Sequence, residues 1–130
     1  MIVKDVMLPI ERFPVVKEKT ILKEALTQMG KSNLGLVCIV DNENKLLGLI
    51  TDGDLRRMIL RVQKPFSAFF VDDAISHSNK NPLTCSKSDE LKSIVNIMGT
   101  KEIWDIPVID ENDVLIGLVH LHSAIKKILL

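Results

Sequence analysis

The apolar positions of this chain change period several times, and each change marks an element. Leu36-Val37-Cys38-Ile39-Val40 is an unbroken apolar run of strand length. The polar stretch Asp41-Asn42-Glu43-Asn44-Lys45 predicts a turn, and Leu46 to Ile50 returns as its hairpin partner. Beyond Thr51 the period becomes helical, with Leu55, Met58, Ile59 and Val62 on one face. Upstream, Phe13-Pro14-Val15-Val16 predicts a brief extended segment, because the residue before a proline is pushed out of the α region. Thr20 reads as the N-cap of a helix whose inner face is Ile21, Leu22, Ala25, Leu26 and Met29, ending near Gly30. Val3 to Met7 reads as a short helical turn or extended arm, broken at Pro9.

The same order then recurs. Asp73-Ala74-Ile75 answers Asp5-Val6-Met7, Pro82 answers Pro14 at a spacing of 68 residues, and Ser88 stands where Thr20 did. Leu91, Ile94, Val95 and Met98 repeat the amphipathic helix. Ile106-Pro107-Val108-Ile109, the turn Asp110 to Asp113, and Val114 to Val119 repeat the hairpin. Gly117 answers Gly48, and Asp110 answers Asp41, both at a spacing of 69. Ala124, Ile125, Ile128 and Leu129 give the final helix an apolar side. The prediction is an α/β (α+β) chain of two tandem β-α-β-β-α units: repeat 1 at 1–63, a linker at 64–72, and repeat 2 at 73–130. Phe66, Phe69 and Phe70 of the linker region are expected to pack on both copies. Each copy has about half the mass of a comfortable domain, so the two sheets are expected to pack together about a pseudo-two-fold, leaving a cleft sized for a small molecule.

Composition narrows the classes. Hydrophobic residues make up 46% of the chain, with four Phe, one Trp and no Tyr, which predicts an aliphatic core. Lys+Arg and Asp+Glu are equal at 17 each, so no net field draws the chain to nucleic acid. Cys38 and Cys85 have no short pair spacing, which argues against structural zinc and against a disulfide framework. No apolar run approaches the ~18 residues of a membrane span, and Met1 to Leu8 carry no signal-peptide pattern. A soluble, cytoplasmic protein is expected.

The chemistry centres on Gly48-Leu-Ile-Thr51-Asp-Gly-Asp54, where a strand meets a helix. Thr51 can accept from a backbone N–H of the first turn, and Asp52 and Asp54 suit the positive end of the helix dipole. No lysine with serine or threonine completes a Walker-type loop. A carboxylate here suits sugar hydroxyls, as the acidic residue does for ribose in dinucleotide folds, and the hydroxyl suits either a hydroxyl or a phosphate oxygen. The plain alternative is that both residues only cap the helix. In the second copy His120 stands opposite Thr51, and Ser123 opposite Asp54. His120 and His122 would share a face of a continuing strand, but no further metal ligands lie nearby in the sequence. They are expected to bind a ligand phosphate or cap the last helix, with affinity rising as pH falls through the histidine range. Arg56 and Arg57 read as a solvated helix face or a dimer contact, Trp104 as a cover for core or a subunit interface, and Met29, Met58 and Met98 as core.

With these residues the chain resembles a tandem pair of cystathionine-β-synthase-type (CBS) domains. Asp5-Val6-Met7, Pro14, Leu34-Gly35, Thr51-Asp-Gly-Asp-Leu-Arg-Arg57, Asn81-Pro82-Leu-Thr84 and Gly117-Leu-Val-His120-Leu-His122 are similar to the C-terminal pair of D-arabinose 5-phosphate isomerases. The resemblance implies a regulatory, non-catalytic module, alone or attached to a sugar-isomerase domain that serves Kdo and lipopolysaccharide synthesis. It implies a homodimer through the pairs, and no required cofactor. The regulatory ligand would be a nucleotide or nucleotide-sugar, such as AMP, ATP or CMP-Kdo. Thr51 and Asp54 would grip phosphate and ribose, the backbone around Val16 and Lys17 would read a base edge, and Thr20 would border the cleft. One departure is Ser123, where that family usually has an aspartate. Two further readings stay open: a ligand-free dimerisation module, and the pair of a sugar nucleotidyltransferase.

Overall fold

The computed structural model describes residues 1–130, and the chain divides into two compact units. One is continuous, Phe13–Pro82; the other joins the N-terminal arm Met1–Arg12 to Leu83–Leu130. The units are therefore offset from the sequence repeats by about a dozen residues at each crossing.

In the continuous unit, strands β1 (Val15–Lys17), β2 (Leu36–Val40) and β3 (Leu46–Thr51) form a sheet in that order. β1 runs parallel to β2, and β2 antiparallel to β3. All five residues of β2 are buried, which is why this stretch shows no alternation. Helices α1 (Leu22–Gly30), α2 (Asp52–Arg61) and the short α3 (Phe66–Phe70) accompany the sheet, with a 3-10 turn at Ala74–His77. Leu22, Ala25, Met29, Val37, Ile39, Ile50, Met58 and Phe69 make the core. Each large side chain so enclosed contributes about 1.5–3 kcal/mol. Of the three linker phenylalanines only Phe69 is buried; Phe66 is 60% exposed and stacks on Phe70.

In the other unit, α4 (Leu91–Lys101) and α5 (Leu121–Leu129) accompany a two-stranded antiparallel sheet, β4 (Asp105–Ile109) and β5 (Leu115–His120). The arm opens with a 3-10 turn at Val3–Asp5, buries Val3 and Val6 in this core, and pairs Leu8 with Leu118 of β5. Gly117 permits that approach: a Cβ there would lie 2.7 Å from Met7 Sδ and 3.0 Å from the Leu8 carbonyl oxygen.

The two hairpins are built alike. Asp41 Oδ1 accepts from Glu43 N and Lys45 N at 2.8 and 2.9 Å, and Asp110 Oδ1 from Asn112 N and Val114 N at 2.8 and 3.0 Å. Asn44 and Asp113 take the left-handed conformation at φ 66 and 65, which their short polar side chains tolerate. Both hairpins shift register at the same place, between Ile39 and Val40 and between Val108 and Ile109.

The copies differ at their first strand. The repeat predicts an opening strand in each, but the second has only a bridge from Cys85 to Val108. In the first copy Cys38 N donates to Pro14 O at 3.0 Å. Its counterpart 69 residues on is Pro107, which has no N–H, so that rung cannot form. The final helix also departs from expectation: Ala124 is buried, but Ile125, Ile128 and Leu129 are exposed. Trp104 does not cover the core, being 67% exposed.

Candidate functional site

The turn after β3 is built by side chains that bond back to the backbone. Thr51 is extended, at φ −109 and ψ 167, and serves as the N-cap of α2. Its Oγ1 accepts from Asp54 N at 3.1 Å, while Asp54 Oδ2 accepts from Thr51 N at 3.0 Å. This reciprocal box satisfies two donors that a helix start leaves over. Arg57 Nη2 reaches Asp54 Oδ1 at 2.8 Å, one turn along the helix. Arg57 is thus a partner of the candidate carboxylate as well as part of a solvated face, a pairing the i,i+3 spacing makes available.

The box leaves chemical capacity. Each carboxylate oxygen of Asp54 uses one acceptor position here, and a carboxylate offers about four. The Thr51 hydroxyl accepts in the box and keeps its proton to donate. The Asp54 side chain is 24% exposed, so it is accessible to a small molecule. Asp52 N donates to Gly35 O at 2.9 Å, and the Asp52 carboxylate lies so close to the Gly35 Cα that a Cβ would collide with it. Beside them a cavity of about 310 Å³ is lined by Gly35, Asp52, Leu55 and the end of α1.

Thr20 is not a cap. The N-cap of α1 is Ile21, with no side-chain cap bond, because main chain from the end of the same unit fills that role. Leu22 N donates to Asp72 O at 2.8 Å, and Thr20 O accepts from Ala74 N at 2.9 Å. The Val16 side chain belongs to the core, which leaves only its backbone, on the edge strand β1, for a ligand. Lys17 is held by the hairpin turn, its Nζ donating to Asn44 Oδ1 at 2.9 Å. Thr20 and Val16 share a unit with Thr51 and Asp54, but neither is bonded to that turn.

His120 and His122 do not lie on one strand face. β5 ends at His120, and His122 sits in the first turn of α5, with ring centroids 6.5 Å apart. His120 caps nothing with its side chain; Nδ1 lies 2.7 Å from Asp105 Oδ1, its cross-strand neighbour. The Asp105 side chain is 8% exposed, so the pair is well enclosed. Asp105 went unnoticed in the sequence because the register shift of the hairpin sets which residue faces His120. The backbone of the two turns nevertheless matches: Leu121 N donates to Trp104 O at 2.9 Å, as Asp52 N does to Gly35 O. The side-chain chemistry differs, since Ser123 supplies no carboxylate.

No group of three or more His, Cys, Asp or Glu is arranged to hold a metal ion. No helix is long and apolar enough to cross a membrane. Cys85 is buried, and burial, with the Asp89 charge adding to it, pushes its thiol up to about 12. A thiol so placed is inert as a nucleophile.

The CBS domain model matches residues 3–61 and 71–130. A Rickettsia prowazekii protein is 34% identical over 95% of this chain and 37% of its own length. Arabinose 5-phosphate isomerase KdsD of Francisella tularensis is 31% identical over 95% of this chain and 36% of its own. The chain thus spans little more than a third of the length of these relatives. Among solved structures, CBSX2 in complex with AMP has a TM-score of 0.86 at 23% identity, covering 98% of this chain and 96% of that one. The CBS domain pair of MJ0100, in complex with methylthioadenosine and S-adenosyl-L-methionine, has a TM-score of 0.77 at 21% identity, covering 99% and 95%. With both repeats matched across nearly its whole length, the chain belongs to the CBS domain family.

Proposed function

We propose that this chain is a regulatory module that binds an adenosine nucleotide or a nucleotide-sugar at the Thr51–Asp54 turn. The observation that carries the reading is the spare acceptor capacity of Asp54 beside the Thr51 hydroxyl, at the start of a helix. Ribose hydroxyls would donate to the carboxylate, and a phosphate would accept hydrogen bonds from the Thr51 hydroxyl and the Arg57 guanidinium. The AMP and S-adenosylmethionine complexes of proteins with the same fold support the ligand class. Val16 and Thr20 would contribute backbone only, and His120 and His122 belong to the other unit's turn, where Asp105 holds His120.

The KdsD relatives support a parent enzyme, an arabinose 5-phosphate isomerase with an attached sugar-isomerase domain. CMP-Kdo would then be a fitting feedback ligand, and a coupling of ~1–3 kcal/mol would suffice for control. A second reading, a ligand-free dimerisation module, is favoured by the exposed Ile125, Ile128 and Leu129 of α5 and by a turn already closed by its own capping box. Thermal unfolding with a nucleotide panel tests both. A ligand at 100 times its dissociation constant adds ~2.7 kcal/mol, whereas a flat response to every nucleotide with a tight dimer supports the second.

A further inference from the structure

We infer that the β4–β5 hairpin turn carries a binding site for a short aliphatic diamine, one ammonium of which takes the place that a lysine of the chain fills at the β2–β3 turn. In the first hairpin Lys17 Nζ reaches from the end of β1 to the turn, donating to Asn44 Oδ1 at 2.9 Å and to the Asp41 carbonyl oxygen at 3.3 Å. At the spacing of 69 residues Asn44 is answered by Asp113, Asp41 by Asp110 and Lys17 by Ser86. The turn backbones match: the Asn44 N–H meets the Asp41 carbonyl at 3.0 Å, and the Asp113 N–H meets that of Asp110 at 3.1 Å. Ser86 is too short to reach this turn, and its Oγ lies 3.1 Å from Ser88 Oγ instead. The second turn therefore keeps the acceptors and lacks the cation, and the amide that accepts in the first copy has become a carboxylate.

There is room for the missing group. A cavity of about 390 Å³ lies between residues 84–87 and the turn, with Cys85 and Ile109 on its apolar side. Asp89, Asp110 and Glu111 line it against one ammonium, that of Lys87. Asp89 Oδ2 accepts from Ser86 N, and Asp110 Oδ1 from two turn amides, but neutral N–H groups leave both carboxylates charged. Lys87 forms no ion pair with any of them, and it stands where the first copy has Glu18, so it does not replace Lys17. The carboxylates are not grouped to hold a metal ion. An alkyl ammonium, with three donors, fits the acceptors as Lys17 fits theirs. A second ammonium on the same short chain meets the remaining carboxylates while the methylenes lie on the apolar side.

The test is titration of the full chain with 1,4-diaminobutane at fixed ionic strength, followed by amide shifts in NMR spectra. Saturable shifts are expected at Ser86, Glu111 and Asp113, with the Glu43, Asn44 and Lys45 amides unmoved because Lys17 already fills their turn. n-Butylamine, with one ammonium, should bind about threefold more weakly, and Asp113→Asn should weaken the diamine by a similar factor. Lys87→Gln, which removes the one like charge, should strengthen it. Ser86→Lys supplies the lysine of the first copy and should abolish the shifts. Absence of saturation, an equal response of the two turns, or undiminished binding by Ser86→Lys overturns the inference. So does tighter binding of Nα-acetyl-lysine amide than of the diamine, which would assign the place to a lysine of a protein partner. The readout lies in the unit that does not contain Thr51 and Asp54, so failure of AMP to bind at Thr51 leaves the outcome unaffected.

Discussion

Thr51 and Asp54 each hydrogen-bond the other's backbone N–H, at 3.1 and 3.0 Å. One pair of side chains therefore does two jobs in the proposed account, starting α2 and presenting acceptors to a ligand. Asp54→Ala removes both. It is expected to lower stability by ~0.5–2 kcal/mol, the ordinary cost of a lost cap, and to abolish any nucleotide-induced rise in Tm. Chemical denaturation with and without AMP checks both outcomes, and a variant that keeps its nucleotide response would move the site away from this turn.

Gly117 and Gly99 should respond to alanine in opposite directions. At Gly117 the added methyl meets the Leu8 carbonyl oxygen at 3.0 Å and Met7 Sδ at 2.7 Å, so Gly117→Ala should cost ~1–3 kcal/mol. Gly99 lies in α4 with nothing within 4 Å of its missing Cβ, so Gly99→Ala should stabilise by ~0.5–1 kcal/mol. Paired urea unfolding curves check the signs.

Much of this architecture is legible in the sequence because it follows from local rules. The β2 run, the turns at Asp41 and Asp110, and the Thr51-x-x-Asp54 cap all appear where periodicity and turn chemistry place them. Relationships set by tertiary contact were not legible. Thr20 looks like a cap, but Asp72 O receives the Leu22 N–H that a cap would prepare for. His120 stands out in the sequence, but its partner Asp105 follows only from the hairpin register. Pro107 explains the missing rung only once its alignment with Cys38 is known.

Asp72 makes stability depend on acid. Its hydrogen bond from Lys64, at 2.7 Å, and its contact with His77, at 2.8 Å, hold its carboxyl below the ordinary value of 3.8. A carboxyl lowered by folding stabilises above its unfolded value, and that contribution disappears as pH falls through the folded one. Asp72→Asn should therefore show a shallower loss of stability as pH falls below about 3.8 than the unaltered chain. Tm against pH for the two proteins checks this, and parallel curves would show that the pair contributes nothing.

Asp105→Ala should loosen the end of the second hairpin. It removes the 2.7 Å bond to His120 in a site where the carboxylate is only 8% exposed, an expected loss of ~1–3 kcal/mol. Faster amide exchange in β4 and β5, with β2 and β3 unaffected, is the accompanying signature, since the two hairpins belong to different units.

The most direct measurement is calorimetric titration of AMP and of 2′,3′-dideoxy-AMP into the unaltered chain and into Asp54→Asn. If Asp54 receives ribose hydroxyls, AMP binds the unaltered chain about tenfold or more tightly than the dideoxy analogue, and Asp54→Asn removes most of that difference. Equal affinity of the two ligands for the unaltered chain, or no binding of AMP at all, would contradict the account.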